Sequence, residues 1–345
     1  MHDLLEGVCH YDLCMILENL ISVKRYFTLQ TLNDRIQNFD YGFDIGNKSS
    51  IITFDHIRGE KLRMSASEML FFARHFGLII GDLVPEVEEI WQLYIRLVQI
   101  LDIVTAPFVD TDLTMYLATL IAEHHELYCK LFSKTLKPKH HNMVHYPRIM
   151  RSIGPLIHVW SMRMEGKHRP VIKQVAKATT CRKNLPLTVA KKYLLSLSAR
   201  FLSKQGFQRD VILHFKEKIM INCYNYDDFQ YILPPGLENS VVVEEATICN
   251  TKYKKNMVLA INYKNNLPLF GLLHWTVKLP NNNNRVGFIL SIFETVGFNS
   301  HLHCYEVTPT MELLFLNYED LISFYPASCR IGADGNLYVS FKHIL

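Results

Sequence analysis

The stretch "ILPPGLENS", residues 232–240, divides the chain into two kinds of sequence, and that division sets the fold class. Its adjacent prolines continue neither a helix nor a central strand. Short runs rich in β-branched and aromatic residues follow it: "VVVEEATI", "MVLAINY", "PLFGLLHWTVKL", "VGFILSIFETVGF", "HCYEVT" and "NLYVSFKHI". Polar clusters such as "NNNN" (281–284) and "ADGN" (333–336) separate them. Such spacing predicts a small antiparallel β-barrel or sandwich over residues 236–345, in which Trp275, Phe288 and Phe293 are core residues.

Upstream, the periodicity is helical. Leu4, Leu5, Val8, Met15, Leu17, Leu20 and Ile21 share one face of a helix over 3–24, interrupted afterwards by "DYGFDIGNKSS". Ser65 and Glu68 stand at the spacing of a capping box and start a helix that ends near Gly81. Long one-sided apolar patterns predict helices at 86–104 and 111–133, separated by Pro107. The proline-bearing segment 137–156 predicts short elements and turns, and helices resume at 168–180, 187–203 and 208–220. Pro170 fits only a first helical turn, which places Glu165 at or just before a helix start. The fold class is α+β, with a mainly α-helical region over residues 1–235 and the β-rich domain after it.

With 345 residues, 49% of them apolar and 20% charged, the chain reads as folded and as more than one core. Its eight cysteines include no C-x-x-C pair, so neither a disulfide framework nor a zinc ribbon is indicated. No apolar run reaches membrane-spanning length, and "MHDLLEGVCHYDLC" carries acids where a signal peptide needs bases, so a soluble nuclear or cytoplasmic protein is expected.

The net charge of +4 is unevenly spread. Between Gly81 and Cys129 nine acids face one base, Arg96, whereas between Lys137 and Lys192 thirteen Lys or Arg face one acid, Glu165. The basic block is interleaved with Tyr146, Trp160 and five histidines, the pattern of a surface that meets phosphates; a solvated helical face is the competing reading. No G-x-G-x-x-G, P-loop, G-x-S-x-G or H-E-x-x-H is present. His140, His141 and His145 have metal-ligand spacing on a helix but no Cys or acid nearby in sequence. His124 and His125 read as surface or packing residues, and Glu165 and His168 share a face if helical.

Taken together and in order, "MHDLLEGVC", "KPKHHNMVHYPRIMRSIGPLIHVWSMRMEGKHRPVIKQV" and "NLPLTVAKKYLL" resemble the animal branch of the CACTA-like (En/Spm) DDE transposases. The resemblance runs from Met1 to about Leu202, and residues 240–345 are similar to the family's β-rich extension. It implies an RNase H-like catalytic core, here represented by its remnant with an all-α insertion over about 60–135. Two aspartates and a glutamate of that core would hold two Mg²⁺ or Mn²⁺ ions for strand cleavage and transfer. Glu165 falls at the third acid. The second aspartate is implied just before Met1 and the first further upstream, which leaves Asp3 as the neighbouring candidate in this chain. One carboxylate cannot hold two such ions, so the chain is expected to be a catalytically inactive, transposon-derived protein. DNA binding is expected through Lys137, Lys139, Arg148, Arg151, Arg163, Lys167, His168, Arg169 and Lys173. Two alternatives stand beside it: an active metal-dependent strand-transfer enzyme or nuclease, and a scaffold that binds proteins through the acidic helices or the β-domain.

Overall fold

A computed structural model describes residues 2–162, 166, 172–180, 183–203, 211–214, 218–223, 226–280 and 285–344. It is α+β, with helices first and an antiparallel sheet after them. Leu4 to Val23 run as one helical stretch, α1 (Cys9–Glu18) with a π-helical turn at each end. Then come α2 (Leu29–Asn38), α3 (Phe54–Arg58), α4 (Ala66–Ile80), α5 (Glu89–Val104), α6 (Thr111–Phe132), α7 (Pro138–Met143), α8 (Tyr146–Ile153), α9 (Gln174–Ala178), α10 (Leu185–Ser203) and α11 (Tyr226–Phe229). The Ser65 hydroxyl accepts from Glu68 N–H, and the Glu68 carboxylate accepts from Ser65 N–H at 2.6 Å, so the capping box forms as its spacing predicts. α1 packs on α3, α4 and α5, and the core closes on large rings, among them Phe72, Phe76, Trp91 and Tyr94.

The strands are β1 (Val211–His214), β2 (Lys218–Ile219), β3 (Val241–Val243), β4 (Glu245–Ile248), β5 (Thr251–Lys254), β6 (Val258–Lys264), β7 (Leu267–Lys278), β8 (Val286–Asn299), β9 (Cys304–Asn317), β10 (Ser328–Ile331) and β11 (Leu337–Ser340). The main sheet has the order β10-β11-β9-β8-β7-β3-β2, with β6 also on β7, and β1-β4-β5 form a second, small sheet. Asn265 and Asn266, both at positive φ (52° and 62°), make the two-residue turn that joins β6 to β7. Ile248 and Tyr253 of the small sheet share a cluster with Leu273, Phe288 and Leu290 of the large one. Trp275, Phe288 and Phe293 are buried, as expected of core residues.

Two local expectations give way. The helix over 208–220 is replaced, where described, by β1 and β2: Val211, Ile212 and Leu213 pair with Ile248, Thr247 and Ala246, so sheet pairing overrides a helical pattern. Strand pairing thus begins upstream of residue 236. The run "VVVEEATI" splits into β3 and β4, which belong to different sheets. Among the described residues no helix is long and apolar enough to cross a membrane.

The β8–β9 connection is pressed into the helical part. Trp91 Nε1–H donates to the His301 carbonyl at 2.9 Å, and His301 Nε2 to the Gly81 carbonyl at 2.9 Å. His303 Nε2 lies 2.7 Å from Asp102 Oδ2, and the same carboxylate faces Arg74 at 3.6 Å. A Cβ on Gly77 would stand 2.5 Å from the Leu302 carbonyl oxygen, so only glycine admits this approach.

Candidate nucleic-acid interface

α7 starts on Pro138 and α8 carries Pro147 as its second residue, first-turn positions where the missing N–H leaves no intrahelical bond unmade. α8 buries Tyr146, Pro147 and Met150 against the core and presents Arg148 and Arg151 to solvent. Lys173, just before α9, is also exposed. None of the three has an acidic partner among the described residues.

Lys137 and Lys139 serve the fold. Lys137 Nζ pairs with Glu60 and sits 3.9 Å from the centroid of the Tyr11 ring. Hydrogen bonds from Lys137 and then Lys134 hold the Glu60 carboxyl below its usual range. Lys139 Nζ donates to the carbonyls of His2 at 2.8 Å and Glu6 at 2.9 Å, at the start of the N-terminal helix. It crosses directly over Gly7, whose Cβ, if present, would stand 2.2 Å from Lys139 Cδ. Arg163, Glu165, Lys167, His168, Arg169 and Pro170 lie outside the described residues.

Asp3 accepts from Asn142 Nδ2 at 3.0 Å. With Tyr146, Ile149 and Trp160 it lines a cavity of about 250 Å³ between the N-terminal helix, α5 and α8. Trp160 Nε1 is buried there without a hydrogen-bond partner among the described residues. Burial, and then the charge of Asp3, pushes the Tyr146 phenol up.

Beneath this surface lies a polar centre that sequence spacing does not reveal. Asp12 of α1, His124 of α6 and His140 of α7 are all fully buried. His124 Nε2 is 2.7 Å from Asp12 Oδ2, and His140 Nε2 is 3.1 Å from Asp12 Oδ1. Lys137 N–H donates to His140 Nδ1 at 3.1 Å, which leaves Nε2 of the neutral ring as the donor to Asp12. Burial works to raise the Asp12 carboxyl, but the charge and hydrogen bond of His124 and the hydrogen bond of His140 together hold it below its usual value. The acid missing near His140 in sequence is therefore supplied from 128 positions away. His141 and His145, by contrast, face each other edge to face at 5.0 Å. Among the described residues no group of three or more His, Cys, Asp or Glu side chains is arranged to hold a metal ion. Asp3 and its amide partner Asn142 offer a single carboxylate between them.

Several acids of the stretch 81–129 are matched by cations of the chain: Asp82 with Arg35, Glu88 with Lys24 at 3.1 Å, Glu89 with Lys130 at 2.7 Å and Glu123 with Arg96 at 2.8 Å.

Comparison with protein-family models, with curated proteins and with solved structures found no match to this chain.

Proposed function

We propose that this is a transposon-derived, nuclear DNA-binding protein that resembles the C-terminal part of a CACTA-like DDE transposase and does not itself transfer strands. The observation that carries the reading is the contrast in pairing. Arg35, Lys24, Lys130 and Arg96 are neutralised by nearby carboxylates, whereas Arg148 and Arg151 of α8 face solvent with no acid opposite among the described residues. Unmatched cations on one helix face suit a phosphate backbone, whose binding releases counterions. In this reading the helices α4 to α6 are the all-α insertion of an RNase H-like core, and the two packed sheets are a sandwich-like extension. Fluorescence anisotropy with duplex DNA across a salt series tests it: affinity falls with salt, and binding that is absent or indifferent to salt overturns the reading.

The catalytic alternative has one observation in its favour. Asp3 and Trp160 share a cavity, and Trp160 precedes Glu165 by five residues, a reach of at most about 17 Å. Nicking of supercoiled DNA with Mg²⁺ or Mn²⁺, lost in Glu165→Gln, would establish that alternative; no cleavage by the parent protein rejects it.

A further inference from the structure

Two surface features of opposite character stand apart from the basic face of α8. α10 buries none of its described side chains. Leu187 and Leu194 stand seven residues apart on it, as do Leu195 and Leu202, the latter two 72% and 87% exposed. That is an apolar stripe at heptad spacing, of the kind that seeks a partner. Its charged residues are Lys191, Lys192 and Arg200, with no acid anywhere along it. Two such helices side by side would set like charges against each other.

The second feature is a groove of about 730 Å³ where the start of α6 meets the residues after β9 and β11. Phe108, Tyr116 and Ile322 line it and are 78%, 46% and 38% exposed. Through Tyr116, His343 and Ile344 it continues into a smaller cavity of about 240 Å³. Among the described residues the combined lining holds Asp102, Asp110 and Asp112 and no Lys or Arg, in a chain of net charge +4. His343, common to both parts, leaves Nε2 buried and without a partner among the described residues.

We propose that α10 of one copy of this chain seats in the aspartate-lined groove of a second copy. The leucine stripe meets the aromatic wall, and Lys191 and Lys192 approach Asp110 and Asp112. The two surfaces differ, so the contact is heterologous, and each copy carries one helix to give and one groove to fill. It stands independently of DNA binding and uses neither Arg148 nor Arg151.

Sedimentation velocity of the full chain without DNA tests the contact. The expected result is association that rises with concentration and is weakened about tenfold or more by Leu194→Glu and by Asp112→Lys alike, each worth at least about 1.4 kcal/mol. All the sites changed are exposed, so circular dichroism should stay that of the parent; Leu195→Glu is the second helix variant if Leu194→Glu does not fold. A chain bearing Lys191→Glu and Lys192→Glu, mixed with the Asp112→Lys chain, should recover association that neither shows alone. A parent that stays monomeric at every concentration overturns the proposal. So does association that responds to the helix variants but not to Asp112→Lys, or a charge-reversed mixture that fails to associate.

Discussion

Asp12 and His124, 112 positions apart in the sequence, meet at 2.7 Å with neither side chain exposed to water. His140 completes the bridge, so a single carboxylate ties α1, α6 and α7 together. Removing one partner of a buried charged network leaves the rest desolvated and unpaired, which costs more than the bonds contribute. Asp12→Ala is therefore expected to lower stability by about 3 kcal/mol or more in urea unfolding, and Asp12→Asn by less. A change below about 1 kcal/mol in both would show that the bridge does not hold the helices.

Acid should weaken the fold well before the carboxylates titrate. Burial lowers His125 and His10 from 6.5 to about 4 each, with the charge of His124 adding to the effect on His125 and that of Lys61 to the effect on His10. Between those values the unfolded chain binds more protons than the native one, so stability falls as pH falls from about 6.5 toward 4. Each histidine therefore penalises the folded state increasingly as the pH falls through that window. Asp12, whose folded value also lies below its unfolded one, shifts stability in the same direction, but its contribution is lost only in the acid range below that window. Melting temperature followed from about pH 7 to about pH 4.5 should drop in the parent and drop less in His125→Phe; parallel curves would rule out His125 as a source.

Basic residues of the proposed interface should separate into two classes. Arg148→Ala with Arg151→Ala should leave the melting temperature within experimental scatter and reduce the salt slope of DNA binding by about 2, roughly 0.9 for each phosphate no longer neutralised. Lys139→Ala should instead destabilise the protein by about 1–2 kcal/mol, because two carbonyls of the N-terminal helix lose their donor. If Lys139→Ala changed only DNA affinity, its structural assignment would be wrong.

Gly77→Ala should loosen the contact between α4 and the β8–β9 connection. The added methyl has backbone 2.5 Å away, which cannot rotate aside as a flexible side chain could. A cost of about 1–3 kcal/mol is expected. Quenching of Trp91 fluorescence by acrylamide should increase, since its indole nitrogen bonds to His301 in that same contact.

Much of this architecture is visible in local spacing. The Ser65 and Glu68 pair needs only three residues of context, and the leucines from Leu4 to Leu20 need one helix. The strand runs after residue 240 announce themselves by composition. Other features depend on what the chain meets elsewhere. Val211 to His214 become a strand because β4 is there to pair with them. His140 is short of a carboxylate in sequence because its acid lies on the first helix. Lys137 and Lys139 read as free surface charge because Glu60 and the helix-end carbonyls are distant along the chain. Charge counts along a chain locate cations without showing which of them the protein has already neutralised.

The His301–Leu302 tip works as a stopper. Gly77 and Gly81 form the seat, and Trp91 bonds to the tip from beneath. Cutting the chain at its compositional break near residue 235 would unseat it, opening an apolar socket in the helical half and stripping the β8–β9 hairpin of the surface that holds its end. The place where the sequence changes character most abruptly is thus a poor place to divide the molecule, because the two halves are corked together well beyond that break, at His301.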